Sequence, residues 1–251
     1  MDYKLSTDNK YPILLDECIK AYELIVNYSV KLFGKNYIIN CVGFNINKLV
    51  IYCDSVGSLV AFDLIKHAIK NNIKKPDAAV LIFPYPNIII EELNFHKDPF
   101  SFFGLDDNML EIPLHLKLQD MFLNFNHINE EQSEKSFKND DRLNFFLSDA
   151  SLVSNFPKTF IISSANEPFR EDCTLLAEFL LANKVEVKID HLVYFCNGFL
   201  QIPSLFDSNS DKSRDLALNY ILEFFKPNSS KLQKRKFSRS SGTTISSFCY
   251  N

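Results

Sequence analysis

The chain has 251 residues, no tryptophan and a net charge of −4, and its apolar content suffices for one domain with a sizeable core. Six of its 27 Lys and Arg lie in residues 226–251, a segment without Asp or Glu. The body of the chain therefore carries 21 basic against 31 acidic residues, a balance of −10. An acidic body argues against nucleic-acid binding as the main role.

The hydrophobic pattern predicts helices that alternate with buried strands. The predicted helices cover residues 12–33, the segment that ends near residue 71, residues 170–183 and residues 211–225. The predicted strands cover residues 48–53, 78–83, 159–164 and 185–195. Continuous apolar runs such as 78–83 are typical of strands buried on both faces, whereas the alternation over 185–189 predicts one wet face. The fold class is therefore predicted to be α/β with a largely parallel sheet.

Two polar segments interrupt this pattern. Glu130–Ser136 is polar enough to form a loop, and the Ser-rich, basic segment 227–251 is expected to be disordered. We therefore expect a domain over 1–226 and a tail over 227–251. The run Lys234–Ser238 is interpreted as a solvated segment, with a basophilic kinase site at Ser238 or a contact with anionic membrane left open.

The cysteines show no CxxC pairing and no histidine at metal-ligand spacing, so no zinc site is predicted. They are Cys18, Cys41, Cys53, Cys173, Cys196 and Cys249. The amino-terminal residues lack a signal-peptide layout, and no apolar run reaches the roughly 18 residues of a membrane span. We therefore expect no transmembrane segment and a cytoplasmic protein in a reducing compartment.

Ser55 lies at the most informative point of the sequence. It follows the apolar strand 48–53 within Cys53–Ser58 and directly precedes an apolar-periodic helix. An isolated Ser before a helix is usually an N-cap. Strand, sharp turn, Ser and helix is also the context of a nucleophile elbow, in which the Ser Oγ is exposed at the top of a parallel sheet.

Six segments, in order and at compatible spacing, resemble motifs of the hormone-sensitive lipase family of α/β-hydrolase esterases. They are Asp2–Leu5 with Tyr11–Pro12 and Asp16–Cys18 (DYxLAPExxFPxxxxEC), Cys53–Ser58 (GDSAGG), Lys75–Asp77 with Phe83–Pro84 (PDG and YP), Leu152–Pro157 (LSNLPP), Glu167–Asp172 (DPLRDD) and Asn197–Leu200 (HGFL). The resemblance implies a serine ester hydrolase that acts on an apolar acyl ester or lipid without a cofactor.

The resemblance also assigns roles to individual residues. Ser55 takes the nucleophile position, and the Val56 N–H takes that of an oxyanion donor. Glu167 takes the acid position, or Asn166 does if the register slips by one. The position of the catalytic His is occupied by Asn197, whose amide cannot accept a proton near neutral pH. His191 precedes it by six residues, about 20 Å along a strand, and is interpreted as a strand residue on a partly wet face.

Further departures concern the elbow and the sheet edge. Cys53 and Ser58 replace elbow glycines, which we expect to be tolerated with some strain. The family's HGGG oxyanion loop precedes the DYxLAPE stretch, with which this sequence begins. We therefore expect that loop and about four strands to be missing, leaving the strand 48–53 as an exposed apolar edge. A protein partner that covers this edge is one expectation that follows.

Three hypotheses follow from these features. The first is a hormone-sensitive-lipase-like ester hydrolase, weak or inactive because of Asn197 and the missing loop. The second is a catalytically dead relative that acts as a lipid-binding or protein-binding module, with association to lipid droplets or membrane surfaces left open. The third is a truncated product that does not fold alone. The stretch Phe100–Phe103 is interpreted as core filling, with a role in an acyl pocket left open.

Overall fold

The computed structural model describes residues 9–26, 48–89, 120–123, 137–164, 169–192, 215, 218–219, 221–224, 237–238, 244–245 and 248–249. Several sequence predictions therefore lie outside the described residues. Besides the acid and base positions of the candidate site, they include the polar loop Glu130–Ser136, the stretch Phe100–Phe103 and the continuation of the first helix over residues 27–33.

Four parallel strands form the centre of the fold. They are β1 (Val50–Asp54), β2 (Ala78–Ile82), β3 (Lys158–Ser164) and β4 (Val187–Leu192). Their spatial order repeats their chain order, and each neighbouring pair runs parallel. Helices cover both faces of such sheets, and every residue of β2 is accordingly buried. The predicted α/β class with a largely parallel sheet is confirmed.

Helices flank the sheet on both faces. Residues 13–26 form α1, and the next helices are α2 (Gly57–Lys70), α3 (Ala150–Val153) and α4 (Arg170–Ala182). A 3₁₀ turn covers Phe145–Leu147, residues 120–123 are helical, and the helical residues 215, 218–219 and 221–224 are called α5. Within the described part of the chain, every helix is too short or too polar to span a bilayer.

Two apolar clusters hold the helices to the sheet. On one face, Ile161 and Ile189 pack with Phe62 of α2 and Leu176 of α4. On the other face, Phe160 packs with α5, where its ring centroid lies 5.3 Å from that of Phe224. Side chains of a strand alternate between the two faces, so successive residues of β3 serve both clusters.

The wet face predicted for residues 185–189 is wrong at Lys188, although Glu186 is exposed. Lys188 and Asp190 are only 9% and 5% exposed. Their charged groups lie 3.0 Å apart, and the Lys188 Nζ lies 4.3 Å from the centroid of the Phe160 ring. The pairing and the cation–π contact partly offset the cost of burying two charges, which the alternation of polar and apolar residues cannot reveal.

The first strand lies at one edge of the described sheet. Within the described residues, β1 pairs with β2 alone. Val50 and Tyr52, which project to one face of β1, are 42% and 51% exposed. Apolar side chains are therefore exposed on this strand, whereas the absence of the strands that precede it in the family stays a prediction.

Short pairings involve the carboxyl-terminal segment. β5 (Phe237–Ser238) pairs antiparallel with β6 (Thr244–Ile245), and β7 (Phe248–Cys249) pairs antiparallel with β4. Two-residue pairings contribute little stability by themselves. The domain boundary after residue 226 and the disorder of the tail 227–251 stay predictions.

Candidate active site

Ser55 occupies a sharp turn between β1 and α2. Its φ of 54° lies in the left-handed region, which costs a residue with a side chain about 1–2 kcal/mol. Two backbone hydrogen bonds hold it there. The Ser55 N–H donates to the Ile82 carbonyl at 2.8 Å, and the Ser55 carbonyl accepts from the Ser58 N–H at 3.0 Å. This strained strand-to-helix turn is the geometry expected of a nucleophile elbow.

Val56 follows Ser55 with helical backbone angles, φ −56° and ψ −22°. No residue in the described ranges accepts a hydrogen bond from its N–H. The side chain packs against an apolar cluster that includes Leu59 and Ile88. An N–H without a partner beside Ser55 is what an oxyanion donor requires, because the donor must be ready before negative charge develops.

The elbow accommodates the cysteine that replaces a family glycine. A Cβ added at Gly57 would lie 3.5 Å from the Cβ of Cys53, an ordinary van der Waals distance. Gly57 has no Cβ, so the Cys53 side chain has room at this point of the elbow. The strain expected from the two replaced glycines stays a prediction. Burial, reinforced by the Asp54 carboxylate, raises the pKa of the Cys53 thiol, so this residue stays protonated and is not a competing nucleophile at neutral pH.

The other elbow substitution forms a link that sequence reasoning missed. Ser58 is fully buried, and its Oγ lies 2.8 Å from the Ser55 carbonyl oxygen and 3.2 Å from that of Tyr85. The same Oγ accepts a hydrogen bond from the Tyr85 N–H at 2.8 Å. We expected Ser58 only as a tolerated replacement, because the sequence does not show which backbone groups pack against it.

Tyr85 belongs to a segment that crosses the carboxyl edge of the sheet. Phe83 also has a left-handed φ, 46°, and its N–H donates to the Ile162 carbonyl at 2.8 Å. The Tyr85 ring packs edge-on against Phe169 with centroids 4.8 Å apart. The segment after β2 therefore connects the Ser55 turn with the start of α4.

The predicted acid and base positions, Glu167 and Asn197, lie outside the described residues, so their roles stay predictions. The strands that lead to them are described. β3 ends at Ser164 and β4 at Leu192, at the same edge of the sheet as Ser55. Carboxyl ends of neighbouring parallel strands are where α/β sheets build their sites.

His191 is held away from Ser55. The register of the four strands places Asp54 of β1 level with Asp190 of β4. Ser55 and His191 each follow by one residue, so they too are level with each other, separated by three strand spacings or about 14 Å. The His191 Nδ1 lies 2.5 Å from the Ser163 Oγ, and its Nε2 lies 3.4 Å from the Thr174 Oγ1. Burial, with the nearby Arg170 charge, lowers the pKa of His191. This half-buried imidazole cannot serve as the base for Ser55.

Comparisons with known proteins agree with this geometry. A family model described as the alpha/beta hydrolase fold matches residues 1–200. No curated protein matches the sequence. Similar solved structures include carboxyl esterase 2 from the fungus Tuber melanosporum, at 19% identity over 89% of this chain and 66% of that one, with a TM-score of 0.69.

Two further structures show the same fold. An esterase from Pyrobaculum calidifontis is 17% identical, covers 90% of this chain and 66% of its own, and has a TM-score of 0.67. EstE1, a thermophilic carboxylesterase from a metagenomic library, is 18% identical, covers 90% of this chain and 68% of its own, and has a TM-score of 0.67. The chain thus spans about two thirds of the length of these esterases. As the ordered motifs predict, the chain belongs to the α/β-hydrolase fold family.

Proposed function

We propose that this chain is a serine carboxylester hydrolase of the hormone-sensitive lipase type, acting on apolar acyl esters, whose turnover is limited by Asn197. The observation that carries the proposal is the left-handed Ser55 at the end of β1, beside the Val56 N–H. A side chain is kept in such a conformation only where the surrounding structure holds it, and such residues cluster at active sites.

In the proposed reaction, the Ser55 Oγ attacks the ester carbonyl and the Val56 N–H stabilises the oxyanion. The alcohol leaves, and water then hydrolyses the acyl-enzyme. Both steps need a base that takes the attacking proton, and Glu167 would orient that base. Asn197 cannot fulfil this role, so in this chain solvent water takes the Ser55 proton and protonates the leaving alkoxide. Removal of the Ser or His from a serine protease lowers kcat by about 10⁶-fold. We therefore expect acylation to be slow and turnover to be slower than in relatives with a His.

Three features support an ester as the substrate. The ordered motifs resemble those of an esterase family, and the similar structures are themselves named as esterases. The Val56 side chain adjoins an apolar cluster that includes Ile89 and Phe122. An acyl chain beside the oxyanion donor would therefore meet apolar surroundings.

The test is labelling of the purified protein with an alkyl fluorophosphonate, which reacts with activated serines. We expect slow labelling that disappears in Ser55→Ala. Asn197→His should accelerate labelling by about 10²-fold, the lower bound for a positioned general base. Asn155→His introduces a histidine at an exposed site just before β3, at the amino-terminal ends of the parallel strands and away from Ser55. It should have no effect on labelling.

Two results would contradict the proposal. One is labelling that persists in Ser55→Ala. The other is an Asn197→His variant that folds and labels no faster than Asn155→His. The second candidate function, a lipid-binding or protein-binding module, is favoured by Asn197 itself. This binding function would be supported if the folded protein bound phospholipid vesicles or a protein ligand while no variant was labelled by the fluorophosphonate.

A further inference from the structure

The Ser58 hydroxyl joins two parts of the site that are separate in sequence. Its Oγ contacts the Ser55 carbonyl oxygen at 2.8 Å and the Tyr85 carbonyl oxygen at 3.2 Å, and it accepts from the Tyr85 N–H at 2.8 Å. Ser58 is 0% exposed. Every hydrogen-bonding need of this hydroxyl is therefore met by the protein.

The direction of these bonds follows from the chemistry of a hydroxyl. The group has one hydrogen and two lone pairs. The Tyr85 N–H uses one lone pair, so the single hydrogen goes to one of the two carbonyl oxygens. The Ser55 oxygen is closer by 0.4 Å, which assigns the donated bond to Ser55. The Ser55 carbonyl then accepts twice from Ser58, from its N–H and from its hydroxyl.

The two hydrogen bonds to the Ser55 carbonyl also fix the orientation of the Val56 N–H. The peptide unit between Ser55 and Val56 is planar and trans, so its C=O and N–H point in opposite directions. A Ser55 carbonyl held toward Ser58 keeps the Val56 N–H on the opposite side, away from the helix interior. A flip of this peptide unit would turn the oxyanion donor away and present a carbonyl in its place.

We propose that Ser58 is a positioning residue, whose hydroxyl locks the Ser55–Val56 peptide in the orientation that makes Val56 an oxyanion donor and ties it to Tyr85. This inference rests on the proposed hydrolase function. It concerns a side chain that the glycine of the resembled GDSAGG motif does not have. The Tyr85 ring in turn packs against Phe169 at the start of α4. The Ser58 hydroxyl therefore links the nucleophile turn, through Tyr85, with the helix that follows Glu167.

The experiment compares Ser58→Ala and Ser58→Gly with Thr159→Val, each in the Asn197→His protein. Thr159 is a matched control because its hydroxyl is equally buried, donates to the Pro157 carbonyl at 3.0 Å and lies near the opposite end of the sheet. Each variant removes one buried hydroxyl, but the Ser58 variants lose a donated and an accepted bond, whereas Thr159→Val loses a donated bond. We therefore expect all three melting temperatures to fall, with the larger fall in the Ser58 variants. The second-order rate of fluorophosphonate labelling should fall about tenfold in both Ser58 variants and stay unchanged in Thr159→Val.

Amide hydrogen exchange supplies a readout that does not depend on catalysis. Loss of the Ser58 hydroxyl removes the acceptor of the Tyr85 N–H, so this amide should exchange about tenfold faster or more, together with the Ser55 amide. Equal labelling rates in the Ser58 variants and Thr159→Val, or unchanged protection of Tyr85, would overturn the inference. If no variant is labelled, the proposed hydrolase function fails, and the amide pattern alone decides whether Ser58 holds the turn.

Discussion

Two serines at the same edge of the sheet have different chemical roles. Ser55 is only partly buried and lies in a strained turn with an N–H beside it for an oxyanion. Ser163 is fully buried, and its hydroxyl is bonded to the His191 imidazole. A Ser and a His in contact have the composition of a nucleophile and its base, but a fully buried hydroxyl cannot meet an ester. The Ser163–His191 contact is structural.

The His191 contact predicts a dependence of stability on pH. Burial lowers the pKa of the folded-state His191 imidazole, with a further contribution from Arg170, whereas the pKa of an unfolded His is about 6.5. The unfolded chain therefore binds more protons, and stability is lost as the pH falls from about 6.5 toward the folded-state pKa. Thermal melting between pH 7 and pH 5 should be less pH-dependent in His191→Gln than in the parent protein. Identical pH profiles for the two proteins would contradict this assignment.

At the scale of elements, one arginine joins three segments. The Arg142 Nε donates to Asp63 of α2 at 2.9 Å, and its Nη2 donates to Asp16 of α1 at 2.7 Å. Nearby, the Tyr11 hydroxyl donates to Asp140 at 2.5 Å. Asp63 is buried, whereas the Asp16 side chain is 47% exposed. The bond to Asp63 therefore contributes most, because a buried carboxylate without a partner is strongly destabilising.

Replacement of this arginine should weaken the packing of α1 and α2 together. Arg142→Met leaves Asp63 without its guanidinium and should lower the free energy of unfolding by about 3 kcal/mol. Lys74→Met is the control, because the Lys74–Asp77 pair is exposed and should contribute less than about 1 kcal/mol. Urea denaturation measures both. Adding Asp63→Leu to Arg142→Met removes the unpaired carboxylate and should restore part of the lost free energy of unfolding. A double variant no more stable than Arg142→Met would show that the unpaired Asp63 is not the cause of the loss.

The elements themselves could be predicted because their signals are local. The apolar run 78–83 predicts a buried strand, and the observed β2 lies within it. The turn at Ser55 could be predicted because strand, Ser and helix adjoin in the chain. The contacts of Ser58, His191 and Arg142 could not, since each depends on strand register or on a partner distant in sequence. Arg142 and Asp16, for instance, are 126 residues apart.

At the scale of the whole molecule, the exposed face of β1 stands out. The other three parallel strands are largely buried, whereas Val50 and Tyr52 project apolar side chains to solvent from the first. Among the described strands β1 also lies at the edge of the sheet, and an edge strand presents backbone groups with which another strand can pair. These two properties together favour association between molecules.

Polar substitution of this face should reduce self-association. Val50→Thr with Tyr52→Lys replaces apolar surface and adds a charge beside the strand edge, so concentration-dependent light scattering should fall. Leu147→Lys adds a charge at another exposed apolar residue, outside the sheet, and should have a smaller effect. Equal scattering by the two variants would show that β1 does not drive association.

The sequential strand order also has a consequence for synthesis on the ribosome. The Ser55 turn and its bond to Ile82 need only β1, α2 and β2. The last of these, β2, ends at Ile82, and about 75 residues of chain separate it from the start of β3 at Lys158. At about 5–20 residues per second, translation of that interval takes roughly 4–15 s. During this time the nucleophile turn has its hydrogen-bond partners, while the β2 edge that later pairs with β3 is open. The nascent chain therefore has a period in which a chaperone that shields apolar strands would protect the half-built sheet.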